Sequence, residues 1–180
     1  MELQILHAIQ GIHQDWLTPI MRFFTTIGEH GLVWIVIAII LACIPKTRKC
    51  GLTMMIAMAI TYLVGNLFLK NVIARPRPCA VDNSVVLKIP FPSEYSFPSG
   101  HSSNGFAGAV TIFCYYRKVG ILSLIMAALI AFSRLYFFVH YPTDILGGIA
   151  LGTLDALLAV YLIKRLEACK NAKNASGESE

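Results

Sequence analysis

Three short stretches of this 180-residue chain hold residue types that can do chemistry together. The first is KNVIARPRP, residues 70–78, which carries Lys70, Arg75 and Arg77. Pro76 and Pro78 keep that segment extended, because each restricts its own φ and the residue before it. The second is PSGH, residues 98–101, followed by Ser102 and Ser103. Ser99 and Gly100 can turn backbone N–H groups towards one point, and a loop running into a helix start is a ready anion site. The third is SRLYFFVHYPTD, residues 133–144, with Arg134, His140 and Asp144. His140 and Asp144 stand four positions apart, within reach of a local turn. A carboxylate on one ring nitrogen fixes the tautomer and leaves the other nitrogen free as base or nucleophile.

Taken singly, each stretch has a plain structural reading. The first can be a basic anchor snorkelling to the interface. The second can be a turn capped by Ser102 or Ser103, and the third a helix start with Pro142 in its first turn and Asp144 near it. Together they supply fixed cations, a group of backbone donors, two imidazoles and an orienting carboxylate. Phosphoryl transfer without a metal requires that set: donors for the equatorial oxygens, one imidazole to attack and one to protonate the leaving oxygen. His101, His140 and Asp144 could instead ligate a metal. Lys70, Arg77 and Arg134 would repel a cation there, so neither a metal nor another cofactor is expected.

The elements that must position these residues are membrane helices. The chain is 56% hydrophobic and 14% charged, with mean hydropathy +0.65, against about 25% charge in an ordinary soluble domain. Apolar runs near the ~20 residues that a bilayer requires fall at 27–45, 51–69, 101–116, 119–138 and 145–163. Helix is the default for each, since a span must satisfy its own backbone hydrogen bonds. Ahead of them, LQILHAIQGIHQDWLTPIMRFF mixes apolar residues with His7, Gln10, His13, Gln14 and Asp15. That pattern predicts an amphipathic interfacial helix or a weakly hydrophobic first span. Glu2 and Asp15 and the lack of an A-x-A site argue against a signal peptide. The expected architecture is an all-α bundle of about five membrane helices plus this N-terminal segment. A membrane-embedded domain would cover residues 1–166, with a polar, disordered tail over 167–180.

Nine of the fifteen basic residues lie in the PKTRKC loop, at Arg117-Lys118 and from Lys164 onwards. Alternating spans put these on one side, which the positive-inside rule makes cytoplasmic. The three chemical stretches then emerge together on the extracytoplasmic face. The basic residues form no patch interleaved with aromatics, so the formal charge of +5 is read as topology, not as nucleic-acid binding. Five scattered cysteines without CxxC spacing are read as free thiols.

At this point the residues resemble the type 2 phosphatidic acid phosphatase family, whose signature also occurs in vanadium haloperoxidases. Its three parts read here Lys70 to Arg77-Pro78, then Pro98-Ser99-Gly100-His101, then Ser133-Arg134, His140 and Asp144, with every internal spacing met. The resemblance implies a helical bundle, commonly of six membrane helices, with the N-terminal segment standing in for the first. It implies that His140 attacks phosphorus, that Asp144 orients it and that His101 protonates the leaving group. Lys70, Arg77, Arg134, Ser99 and Gly100 would bind the phosphoryl oxygens. Arg75 lies outside the signature and is at most a headgroup contact. The expected partners are the membrane and a lipid phosphate or diphosphate. Undecaprenyl diphosphate comes first, then phosphatidylglycerophosphate and phosphatidic acid. A non-catalytic lipid-phosphate binder or transporter and a vanadate-dependent haloperoxidase are the competing classes. The number of chains in the assembly is not legible. Asp155, inside the last apolar run, is read as a structural pairing group, and the glycines of GGIALG as a close helix contact.

Overall fold

The computed structural model describes residues 1–175, in which every regular element is helical. The N-terminal segment forms two helices, α1 (Glu2–Gln10) and α2 (Leu17–Ile27). Leu6 of α1 is fully buried, and α2 buries Met21 and Thr25 while Ile20 and Phe23 stay exposed, so both lie amphipathically against the bundle. At Glu29–Gly31 the chain bends by 47° into α3 (Leu32–Cys43). His30 and Gly31 adopt φ 50° and 70° there, left-handed values that cannot continue a helix.

Helix α4 (Arg48–Thr61) runs into a π-helical stretch, Tyr62–Leu69, and then α5 (Lys70–Ile73). Ala74, at φ 47°, ends that rod, and the proline-stiffened Arg75–Arg77 segment leads to α6 (Pro78–Val81). A long connection reaches α7 (Gly100–Tyr115), followed by α8 (Arg117–Tyr136) and α9 (Pro142–Ala175). Three helices are long and apolar enough to cross a bilayer: Arg48–Val81, Arg117–Tyr136 and Pro142–Ala172. The bent α2–α3 pair makes a fourth if it counts as one span. The five apolar runs of the sequence correspond to α3, α4 with its π-helical continuation, α7, α8 and α9. The run at 101–116 falls in α7, whose 16 residues are fewer than a bilayer requires. Helix α7 packs against α3, α4, α8 and α9, and its Ser102, Ser103, Asn104 and Thr111 are buried in protein. The last helix continues through 167–175, where a disordered tail was expected; residues 176–180 of that tail lie outside the described residues.

The core between α3, α4, α7, α8 and α9 is built from Trp34, Met54, Ile112 and Ile130 with many alanines, including Ala57, Ala107, Ala127 and Ala156. Leu63, Phe68, Leu122, Leu154 and Leu166 are exposed, as a lipid-facing surface requires. Asp155 accepts a hydrogen bond from Thr61 Oγ1 at 2.8 Å and so ties α9 to α4, the structural pairing expected.

Small residues set how closely α9 approaches α7. A Cβ on Gly148 would lie 2.7 Å from the Ser99 carbonyl oxygen. One on Gly152 would lie 2.8 Å from Ala107 N and still closer to the Ser103 carbonyl oxygen. Those neighbours are backbone and cannot swing aside. Gly→Ala inside a helix ordinarily stabilises, by about 0.5–1 kcal/mol. Gly152→Ala is expected to do the opposite, lowering stability by about 1–3 kcal/mol through helix separation. Thermal unfolding of the detergent-solubilised protein checks the sign.

Candidate active site

One end of the bundle encloses a cavity of about 380 Å³. Six of the eight residues singled out from sequence line it: Lys70, Arg77, Gly100, His101, Arg134 and His140. They arrive from five separate places in the chain: the end of the π-helical rod (Lys70), the proline-stiffened segment (Arg77), the start of α7 (Gly100 and His101), the last turn of α8 (Arg134) and the α8–α9 connection (His140). Phe137, Phe138 and Val139 are buried and anchor that last connection, while His13 and Gln10 of the N-terminal segment bond the Tyr136 carbonyl.

His140 is the best-buried titratable group of the cavity, at 2% exposure. Its Nδ1 lies 3.5 Å from Asp144 Oδ2, and its Nε2 lies 3.0 Å from Arg77 Nη1. Arg77 can only donate, so Nε2 carries the lone pair and Nδ1 the hydrogen. Burial, together with the positive charges of Arg77 and Arg134, pushes His140 well below the usual histidine range, against the pull of Asp144. The ring is therefore neutral at ordinary pH, with its lone pair turned to the cavity side. Asp144 stands behind it, fully buried, accepting from Ser96 Oγ at 2.5 Å and from Tyr141 N at 2.8 Å.

The cations are held apart by acceptors. Lys70 pairs with the Glu94 carboxylate and lies 3.4 Å from Asn66 Oδ1, four residues earlier on the rod. That ion pair holds the Glu94 carboxyl below the usual carboxylate range. Arg77 donates to the Glu94 carbonyl at 2.6 Å and the Val139 carbonyl at 2.9 Å. Arg134 donates to Thr25 Oγ1, and its Nε is a buried donor without a partner among the described residues. His101 Nε2 lies 3.1 Å from the Thr25 carbonyl oxygen and must donate to it. Nδ1 is then the His101 atom able to exchange a proton. Among the described residues, no group of three or more His, Cys, Asp or Glu is spaced to hold a metal ion.

Two sequence readings change. Ser99 does not line the cavity: its N–H donates to the Asp144 carbonyl at 3.1 Å, and its hydroxyl accepts from Ser102 Oγ at 3.1 Å as the cap of α7. Its role is to fix the start of α7, leaving Gly100 as the cavity-facing member of the pair. Arg75 is absent from the cavity lining and donates to Asp144 Oδ1 at 2.7 Å. Sequence reasoning also missed Ser96, Asn66 and Thr25. Asn66, a polar residue four before Lys70 in an apolar run, could have been found. Ser96 and Thr25 carry no local signal.

Residues 50–168 match the model of the PAP2 superfamily. The chain is 36% identical over 157 residues to the undecaprenyl-diphosphatase of Sulfolobus acidocaldarius, covering 84% of this chain and 75% of that protein. It is 34% identical over 167 residues to phosphatidylglycerophosphatase B of Bacillus subtilis, covering 85% and 76%. The crystal structure of a transmembrane PAP2-type phosphatidylglycerolphosphate phosphatase from Bacillus subtilis superimposes with TM-score 0.73 at 30% identity. That match covers 90% of this chain and 84% of that one. The chain belongs to the PAP2 superfamily.

Ser96→Ala removes a hydroxyl that bonds a buried carboxylate and leaves the cavity lining intact. A hydrogen bond to a charged group contributes about 1.5–3 kcal/mol, so kcat should fall by roughly one to two orders of magnitude. KM should stay within about twofold, because substrate binding does not use Ser96. Steady-state phosphate release checks both.

Proposed function

We propose that this membrane lipid phosphatase of the PAP2 superfamily hydrolyses the diphosphate of a polyprenyl lipid, undecaprenyl diphosphate first, through a phosphohistidine and without a metal. Phosphatidylglycerophosphate and phosphatidic acid are the next substrates in order. The observation that carries the reaction is the lone pair of His140 Nε2, held on the wall of a cavity that Lys70, Arg77, Arg134 and His101 also line. The names of the relatives support the substrate order.

In this reading the phosphoryl oxygens draw donors from Lys70, Arg77, Arg134 and the start of α7 at Gly100. The Arg77 N–H that sits on Nε2 passes to a phosphate oxygen, which frees the lone pair. Nε2 attacks phosphorus as the bond to the leaving oxygen breaks, and His101, which takes up a proton at Nδ1 as the anionic phosphate enters, gives that proton to the leaving oxygen. The Nδ1–H of His140 stays on the Asp144 side, so the positive charge formed on the ring faces the carboxylate. Water then attacks phosphorus and gives a proton to His101. The P–N bond breaks with its electron pair returning to Nε2, and inorganic phosphate leaves. Two imidazoles thus serve as nucleophile and as acid, then base.

The test is phosphate release by the purified protein from a panel of lipid phosphates and diphosphates, with chelator added. Activity should survive chelation, and the polyprenyl diphosphate should give the highest kcat/KM. His140→Ala should abolish turnover and the phosphoprotein trapped by acid-free quenching. Full activity in that variant would overturn the mechanism, and activity lost to chelator would overturn the metal-free reading.

The site is further proposed to face outside the cytoplasm, on the strength of the basic residues at the opposite end. Cys79 is buried and cannot report this, whereas Cys169 is exposed on the far end of α9. A membrane-impermeant maleimide should label Cys169 only after the membrane is permeabilised. Labelling from outside intact cells would reverse the orientation.

A further inference from the structure

The reaction proposed above needs Asp144 to present one oxygen, Oδ2, to His140. A fully buried carboxylate with an unsatisfied oxygen is costly, so both oxygens must be held. Oδ2 takes Ser96 and Tyr141 N–H as well as His140. Oδ1 takes Arg75 Nη1 at 2.7 Å. The guanidinium is itself built in: Nη1 also donates to Thr143 Oγ1 at 2.7 Å, and Nη2 donates to Glu2 Oε2 at 2.6 Å. Its plane lies over the Tyr141 ring, with Cζ 3.9 Å from the ring centre. Glu2 in turn accepts from Thr143 through its hydroxyl, at 2.7 Å, and its N–H, at 3.2 Å.

Glu2, Arg75 and Asp144 are absent from the lining of the cavity. The chain of contacts therefore approaches His140 from behind, through one side chain of α1, one of the Arg75–Arg77 segment and the first turn of α9. It also gives the N-terminal helix a task that its polar composition left unexplained.

We propose that Glu2 and Arg75 are positioning residues for catalysis. Glu2 orients the Arg75 guanidinium, Arg75 holds Oδ1 of Asp144, and Oδ2 is thereby turned to His140 Nδ1. Neither residue touches the lipid phosphate. This rests on the reading of His140 as nucleophile.

A role in headgroup binding and a role in positioning separate in the kinetics. Arg75→Gln should lower kcat by about 30-fold or more, as loss of a partner that orients a functional ligand commonly does. KM and the inhibition constant of inorganic phosphate should each stay within about twofold, since the cavity lining is unchanged. Arg75→Lys, which keeps the charge but not the fork of donors, should recover part of kcat. Glu2→Gln lies at a half-buried surface position and should lower kcat by about threefold to tenfold. The Glu2→Gln/Arg75→Gln double variant should be no slower than Arg75→Gln alone, because the two act in series.

A rise in KM with kcat preserved would overturn the proposal in favour of a headgroup ligand. Wild-type kinetics in Arg75→Gln, or losses that add in the double variant, would also overturn it. If Arg75→Gln does not fold, Glu2→Gln decides, and unchanged kcat there overturns the relay. His140→Ala in the same assay distinguishes the two readings. An inactive His140→Ala beside a fully active Arg75→Gln removes only the relay, whereas an active His140→Ala removes the mechanism on which it rests.

Discussion

The site depends on keeping one carboxylate charged in the protein interior. Asp144 has no exposed surface and would be costly to ionise alone. It is stabilised by four partners from three parts of the chain: Arg75, Ser96, and His140 with the Tyr141 amide. Each partner is fixed in turn by meeting it. Ser96 is further held by its N–H bond to the Arg75 carbonyl at 2.8 Å, and Arg75 by Glu2. The carboxylate thus gathers Ser96 of the connection before α7, the proline-stiffened segment and the start of α9 around the imidazole.

The second demand comes from like charges. Lys70, Arg77 and Arg134 line one cavity, where repulsion in a medium of low dielectric is strong. Backbone carbonyls of Glu94 and Val139, the Glu94 carboxylate and Thr25 Oγ1 offset part of it. The unpartnered Arg134 Nε shows that the offset is incomplete among the described residues. A site built this way favours a multiply charged anion, since each added negative charge relieves repulsion already present.

Helix packing converts these contacts into a rigid arrangement. The approach of α9 to α7 at Gly148 and Gly152 brings Ser99 within hydrogen-bond reach of the Asp144 carbonyl. That contact locks the start of α7, and with it Gly100 and His101, to the helix that carries Asp144. The polar face of α7 is tolerable only because neighbouring helices enclose it. Its 16 residues are accordingly a central strut of the bundle.

By itself the sequence determined the helical membrane class, the three-part signature and six cavity-lining residues. Each of these is local: apolar run length measures a bilayer, and the signature spacings are set within one turn or one extended segment. His140 and Asp144 illustrate the point, since four residues of one connection suffice to bring their side chains near each other. Tertiary structure alone decided the bend at His30, the capping role of Ser99, the place of Ser96 and the direction of Arg75. The partners of Arg75 stand 69 and 73 positions away, and Ser96 meets Asp144 across 48. Such contacts follow from how helices pack, and local spacing does not encode them. The same distinction applies to α7: hydropathy registers it as apolar, whereas only packing reveals that Ser102, Ser103, Asn104 and Thr111 are enclosed by neighbouring helices.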